Sequence, residues 1–407
     1  MLKKSASALL RLDSRLNVRP TPDRRLGQRV ARAILALLFL TGLGLSVLPW
    51  GRAYTRSVLL LPALISASEP APLALAGNPV RFIRTTLPSS AGPVYLDIYE
   101  PADALPLVPG KRAAIITIAG VGDNRSSPQL VNLDRALARE GLVVVNVGTQ
   151  TLFNFALSKS DSEAVVQTFS YLARRPDIDP ARIGLFGLSA GDVLACLAGA
   201  DPRIRDRIAF IVSFGGYFDA TSLVQEVGKR ALMVDGHAQP WHPYYVPLQV
   251  LTNMVSGVLT PEESSLLQQA FMPGGRALDE AELAQLSPPA VAAYHLLAGD
   301  EPENVAKNMA ALSPAIKAQF AALSPSSVVM YIHAPIYLLH DRGDTYVPFT
   351  QSREFATALA RLHHPYDFAE FGIFQHVEVR SNLNYGQLLG DGSRLFQIAS
   401  KMLIAAS

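Results

Sequence analysis

The chain has 407 residues, 49% of them hydrophobic, a single cysteine and a formal net charge of +2. That composition excludes a disordered chain, the length allows one large domain or two ordinary ones, and the lone Cys196 excludes an internal disulfide or a Cys-rich metal site. Residues 1–32 carry nine Lys/Arg against Asp13 and Asp23, a balance of about +7 that leaves about −5 on the remainder. The basic character therefore belongs to a tail and does not describe a nucleic-acid-binding face.

In chain order, the tail (1–32) is followed by AILALLFLTGLGLSVLPW, residues 33–50, about 18 residues without a charge. This is close to the roughly 20 that cross a bilayer as a helix. Arg32 precedes it, and Trp50 and Tyr54 stand where aromatic rings favour the headgroups, so the tail is expected in the cytoplasm and the following domain on the extracytoplasmic side. A second apolar run, 57–67, contains Pro62 and reads as an interfacial stretch or as half of a hairpin. Two alternatives to a single-pass anchor stay open. One is a two-helix hairpin with a cytoplasmic domain, the other a signal cleaved near Ala74 to Ala76 with secretion. Residues 51–79 hold this second run and then SEPAPLALAGNP, 68–79, which reads as a linker.

From residue 80 short β-branched and aromatic runs alternate with longer helical ones, which predicts an α/β domain over 80–407 with a mainly parallel, helix-covered sheet. Strands are expected at 80–86 and 94–99, at 113–119 and 142–148 as continuous buried runs, and at 183–188 and 208–214. Helices are expected at 129–139 and at 161–174, the latter capped by Asp161. After Gly216 the strand signal stops for roughly 110 residues and helix starts replace it. Thr260 with Glu263 and Asp279 with Glu282 fit capping boxes, and Pro314 follows Ser313, so 217–328 is expected to form a helical cap. Strands resume at 336–340 and 366–371 around a helix at 351–362, and a last helix begins near Asn384.

The segment GLFGLSAGD places Ser189 between Gly187 and Gly191, where a strand turns into a helix. There a serine serves as an exposed nucleophile if a base and an orienting acid follow in the order acid, then histidine. Asp344 stands in a loop after the 336–340 strand and His376 in a loop after the 366–371 strand, both at strand C-terminal ends, where ligands collect in open α/β sheets. Asp341 is a rival acid closer to its strand. His363 and His364 belong to the opposite sheet end, His340 reads as a structural histidine, and His237, His242, His295 and His333 are scattered without ligand spacing. No metal or cofactor is expected. The backbone N–H of Ala190, at a helix start, and one from Val121, or secondarily Gly122, would hold the anion of a tetrahedral intermediate. Cys196 reads as a buried small apolar residue rather than a reactive thiol.

DIDPARIGLFGLSAG and APIYLLHDRGDTYVPF together resemble the α/β-hydrolase superfamily. The first looks like the elbow of esterases, dienelactone-hydrolase-like proteins and prolyl-oligopeptidase-type peptidases, and the resemblance spans residue 80 to the C-terminus. It implies Ser189 as nucleophile, Asp344 as acid and His376 as base. Two departures stand out: Ala119-Gly120 replaces the usual His-Gly before the anion-binding loop, and Asp192 replaces a glycine after the elbow, with its carboxylate expected to point away from the anion. The reading that follows is a membrane-anchored serine hydrolase acting on a small, apolar ester. A peptidase or acyltransferase, or a non-catalytic hydrolase-like binding protein, is the alternative. The aromatic cap segment WHPYYVPLQVL, 241–251, suits an apolar substrate group but reads slightly better as core packing.

Overall fold

A computed structural model of the chain describes residues 48–64, 71–102, 110–380, 383 and 385–406. Two compact units are separated, Met1–Arg52 and Ala53–Ser407. The basic tail and most of the expected membrane segment, 33–47, lie outside the described residues. Among the described residues, no helix is long and apolar enough to cross a membrane.

The second unit is built on eight strands: β1 (Val80–Leu87), β2 (Val94–Pro101), β3 (Arg112–Ile118), β4 (Val143–Gly148), β5 (Ile178–Leu188), β6 (Ile208–Phe214), β7 (Ile336–Asp341) and β8 (Tyr366–Phe371). Their spatial order is β1-β2-β4-β3-β5-β6-β7-β8. β2 pairs antiparallel with β1 and β4, and every other neighbouring pair is parallel. The parallel strands read as unbroken apolar runs because both faces are covered. In β3, Ala114, Ile116 and Ile118 face one core while Ala113 and Ile115 face the other, as the twofold period of a strand requires.

On the first face lie the helices α3 (Ser162–Ala173), α4 (Ala190–Gly199) and α5 (Thr350–Arg361), together with the insertion after β6. On the second lie α2 (Pro128–Arg139), α6 (Tyr385–Ala405) and the part of α1 (Pro49–Leu64) from Ala53 onward. The apolar run from Ser57 to Leu64, expected at a membrane interface or in a hairpin, is thus packed on protein. Ala53, Leu60 and Ala63 are buried, Ser57 Oγ donates to Ala53 O at 2.8 Å, and Ser400 Oγ donates to Ser57 Oγ at 3.0 Å. Burying Leu60 alone contributes about 1.5–3 kcal/mol.

The insertion between β6 and β7 holds seven α-helices. The Thr260/Glu263 and Asp279/Glu282 boxes close in both directions, and Ser313 Oγ accepts from Ile316 N–H. Asp161 differs from its expected role: its carboxylate closes back on Ser158 N–H rather than capping α3. A short hairpin, Ala231–Val234 with His237–Pro240, also interrupts the helical insertion. Its turn is Asp235-Gly236, both at positive φ (51° and 82°), the geometry a two-residue hairpin turn demands.

Candidate active site

Ser189 sits between β5 and α4 at φ 54°, ψ −127°, a conformation that costs a non-glycine residue on the order of 1–3 kcal/mol. The surroundings enforce it: Ser189 N–H donates to Phe214 O at 2.8 Å, and Asp192 N–H donates to Ser189 O at 3.0 Å. Both flanking glycines are steric necessities. A Cβ on Gly187 would lie 2.4 Å from Asp192 Cα, and one on Gly191 would lie 2.2 Å from Ile118 O. Only with hydrogens at these two positions can α4 cross the ends of β3 and β5 closely enough to lift the serine out of the sheet.

The loop after β7 carries Asp344, 2% exposed. Its Oδ1 accepts from Tyr346 N–H at 2.7 Å and Val347 N–H at 3.0 Å, and its Oδ2 lies 2.7 Å from His376 Nδ1. Burial works against the charge, but His376 and His340 beside it hold the carboxyl well below the usual carboxylate range. His376 occupies a tight turn between Phe374–Gln375 and Glu378–Val379 at φ 61°, and its ring stacks on Tyr346 at 4.6 Å and 9°. A carboxylate facing Nδ1 fixes that nitrogen as the protonated one and leaves Nε2 as the basic atom.

Asp341, the rival acid, faces elsewhere. It accepts from Gly343 N–H at 2.7 Å, from Phe374 N–H at 2.8 Å and from Arg380 Nη2 at 2.9 Å, so it ties the loop after β7 to the loop after β8. His340 is fully buried, with Nε2 2.9 Å from Val347 O and 3.4 Å from Asp344 Oδ2, and Nδ1 2.6 Å from Ser352 Oγ. Burial opposes its charge, yet the Asp344 carboxylate outweighs that and raises its pKa. His237 and His242 are exposed on the insertion. His295 and His333 pair with Asp300 and Asp206, and His364 Nε2 meets Ala334 O. Among the described residues no group of three ligating side chains could hold a metal ion.

The loop after β3 separates the two expected anion donors. Gly122 N–H donates to Leu152 O at 2.8 Å and is spent, which corrects its place as second choice. Asn124 Nδ2 donates to Val121 O at 2.8 Å and so sets the adjoining peptide. Val121, Gly120, Ser189 and His376 line one cavity of about 460 Å³, and Ala190 opens α4 beside them, where the helix dipole favours an anion. Asn124 was not singled out from the sequence; a loop amide gives no periodic or spacing signal.

Asp192 is fully buried. Its carboxyl packs where a Cβ on Gly216 would lie 2.2 Å from Oδ2, and Cys196 Sγ donates to Oδ1 at 3.4 Å. Burial pushes its pKa up to about 7. Burial likewise pushes the Cys196 thiol up, away from the reactive thiolate. In the cap, Trp241, Val250 and Leu251 are buried in the core, and Trp241 Nε1 donates to Asp344 O at 2.8 Å. Tyr244 and Val246 line the cavity.

The sheet order, a serine elbow after β5, an acid after β7 and a histidine after β8 define the α/β-hydrolase fold. No protein-family model matches the chain, and neither does any curated protein. Among solved structures, the chain is similar to a puromycin-hydrolyzing peptidase of Mycobacterium tuberculosis at 18% identity and a TM-score of 0.49, over 80% of this chain and 39% of that one. It is also similar to a Pyrobaculum calidifontis esterase at 17% identity and a TM-score of 0.43, over 87% and 92% of the two chains. A third is the acylaminoacyl peptidase of Pyrococcus horikoshii, at 14% identity and a TM-score of 0.43, over 79% and 40%. The chain thus spans well under half of either peptidase.

Proposed function

We propose that the protein is a serine hydrolase that cleaves carboxylic esters through an acyl-enzyme. The observation that carries this reading is the 2.7 Å contact of Asp344 Oδ2 with Nδ1 of His376, which lines the same cavity as the strained Ser189. His376 Nε2 takes the Ser189 proton as Oγ attacks the substrate carbonyl, and Asp344 stabilises the imidazolium that forms. The N–H groups of Ala190 and Val121 receive the developing oxyanion. His376 then returns the proton to the leaving alcohol, and a water deprotonated by the same nitrogen releases the acid. The predominantly apolar cavity lining supports an apolar ester over a peptide substrate.

The uncharged run 33–50 behind a basic tail supports an N-terminal membrane anchor with the catalytic domain on the extracytoplasmic side. A fluorophosphonate probe tests the chemistry: wild type is expected to label and Ser189→Ala not to label. Equal labelling of both, or none of the wild type under conditions that label known serine hydrolases, sinks the reading. Protease protection of the full chain in sealed membrane vesicles tests the sidedness.

A further inference from the structure

The cavity that holds Ser189 does not end under the cap. Only Tyr244 and Val246 of the insertion reach it; from the serine it continues on the α1/α2/α6 side of the sheet. Leu130, Leu133 and Leu137, spaced three and four apart on α2, line one wall. Leu395, Ile398, Ala399 and Met402, with the same spacing on α6, line the opposite wall. Phe186, Val212 and Leu339 from β5, β6 and β7 form the sheet side, and Ala63 and Leu64 at the end of α1 also line the space. The polar lining, including Asn124, Ser127, Gln375 and His376, lies in the loops near the serine, apart from Gln129 in the first turn of α2, and Glu378 is exposed.

Protein interiors hold few voids larger than one water, and those that are apolar stay dry. A space of about 460 Å³ bounded by two helical stripes and the sheet, continuous with a nucleophile, is therefore a binding space rather than a packing fault. Lined in this way it suits one unbranched chain, as a tunnel does: among the described residues, the α2 and α6 walls beyond Gln129 carry no polar or charged side chain.

We infer that this tunnel takes the linear hydrocarbon chain of a medium-to-long acyl ester, and that the end of α1 helps to set its length limit. The inference rests on the hydrolase reading for the word ester and not for the tunnel itself. At the ~30 Å³ of a water-sized unit, the whole space of about 460 Å³ holds about fifteen such units, and with roughly a third of them taken by the ester and alcohol groups at the serine a chain on the order of ten carbons remains.

The test uses the full chain carrying Ser189→Ala, so that no turnover intervenes. Fluorescent cis-parinaric acid is bound and displaced by saturated fatty acids of increasing length. Affinity is expected to rise about fourfold per added methylene and to level off near ten carbons. Ala63→Trp is expected to bring the plateau to shorter chains and Met402→Ala to move it to longer ones, each read on samples whose circular dichroism matches the parent. A flat dependence on length overturns the tunnel, as do folded variants of both kinds that leave the plateau in place. On the active chain, p-nitrophenyl alkanoates are compared with alkyl acetates. A length optimum confined to the alkanoates assigns the tunnel to the acyl side, and one confined to the acetates overturns that assignment. Binding with the expected profile but no fluorophosphonate labelling of wild type refutes the hydrolase reading alone; labelling with a flat profile refutes the tunnel alone.

Discussion

Replacing Asp344 by asparagine tests whether this carboxylate, rather than Asp341, orients the base. Oδ1 of Asp344 faces two backbone donors, Tyr346 N–H and Val347 N–H, while Oδ2 faces His376 Nδ1. In Asp344→Asn the amide oxygen must stay with the two N–H groups, because the reverse orientation sets an NH₂ against both of them, at a loss of about 2–3 kcal/mol. The amide nitrogen is thereby aimed at His376 Nδ1, which turns acceptor and puts the imidazole proton on Nε2, where the base should be empty. The expected loss is about 10⁴-fold in kcat, or ~5.4 kcal/mol, with KM little changed. Steady-state hydrolysis of p-nitrophenyl butyrate measures it, beside a thermal melt to show that the fold persists. Asp341→Asn is the contrast. Each of its carboxylate oxygens accepts at least one bond, so an amide meets a donor with NH₂ either way round, and a stability loss of about 1–3 kcal/mol is expected with the Asp344–His376 pair intact. A fall of less than tenfold for Asp344→Asn, or an equal kcat loss in folded Asp341→Asn, would refute the reasoning.

Gly191→Ala sets a Cβ 2.2 Å from the Ile118 carbonyl, a backbone atom that cannot swing aside, and should destabilise the chain by more than about 3 kcal/mol, seen as a lowered urea midpoint. Asp192, pushed up to about 7 by burial, keeps its proton in the folded chain over a range where an unfolded carboxyl has lost it. Stability should therefore fall as pH rises from the ordinary carboxylate range to about 7, and Asp192→Asn should make that slope shallower, with Asp134, Glu140 and Glu226, raised to about 7 in the same way, keeping the rest of it, in urea titrations between pH 4.5 and 8; an unchanged slope contradicts the assignment. Tyr346→Leu removes the ring stacked on His376 and should lower kcat by about 2- to 12-fold, matching the ~0.5–1.5 kcal/mol of an aromatic pair, with folding retained. An effect confined to KM would show that Tyr346 touches substrate instead of holding the base.

The strands were legible in the sequence because each is a short apolar run bounded by turn residues, and the expected and observed spans agree to within a few residues except at β5, which begins at Ile178. Its first turn, IDPAR, is polar and proline-bearing and carries no strand pattern. The positions of Ser189, Asp344 and His376 were legible through their placement at strand ends. What the sequence hid is non-local. The local exception is the hairpin at residues 231–240, which was missed inside the expected helical cap because its strands are only four residues long and the outer one is exposed. The clamp made by Asp341 depends on residues more than thirty positions away. The place of α1 on the second face of the sheet, and with it the tunnel, follows from packing between segments over three hundred residues apart, as the Ser57–Ser400 bond shows. An apolar helix end looks the same in sequence whether it meets lipid, core or a cavity.

The Asp341 bridge bears on how such a protein can change. One carboxylate holds Gly343 in the loop that carries Asp344 and both Phe374 and Arg380 around the loop that carries His376, so each loop braces the other. Engineering or drift that swaps one loop while keeping its neighbour removes one side of that brace, and the loss is expected in stability first, since Asp344 and His376 keep their own contacts. The two loops have to be inherited, grafted or randomised as one cassette, with the variable positions confined to the outer side of each.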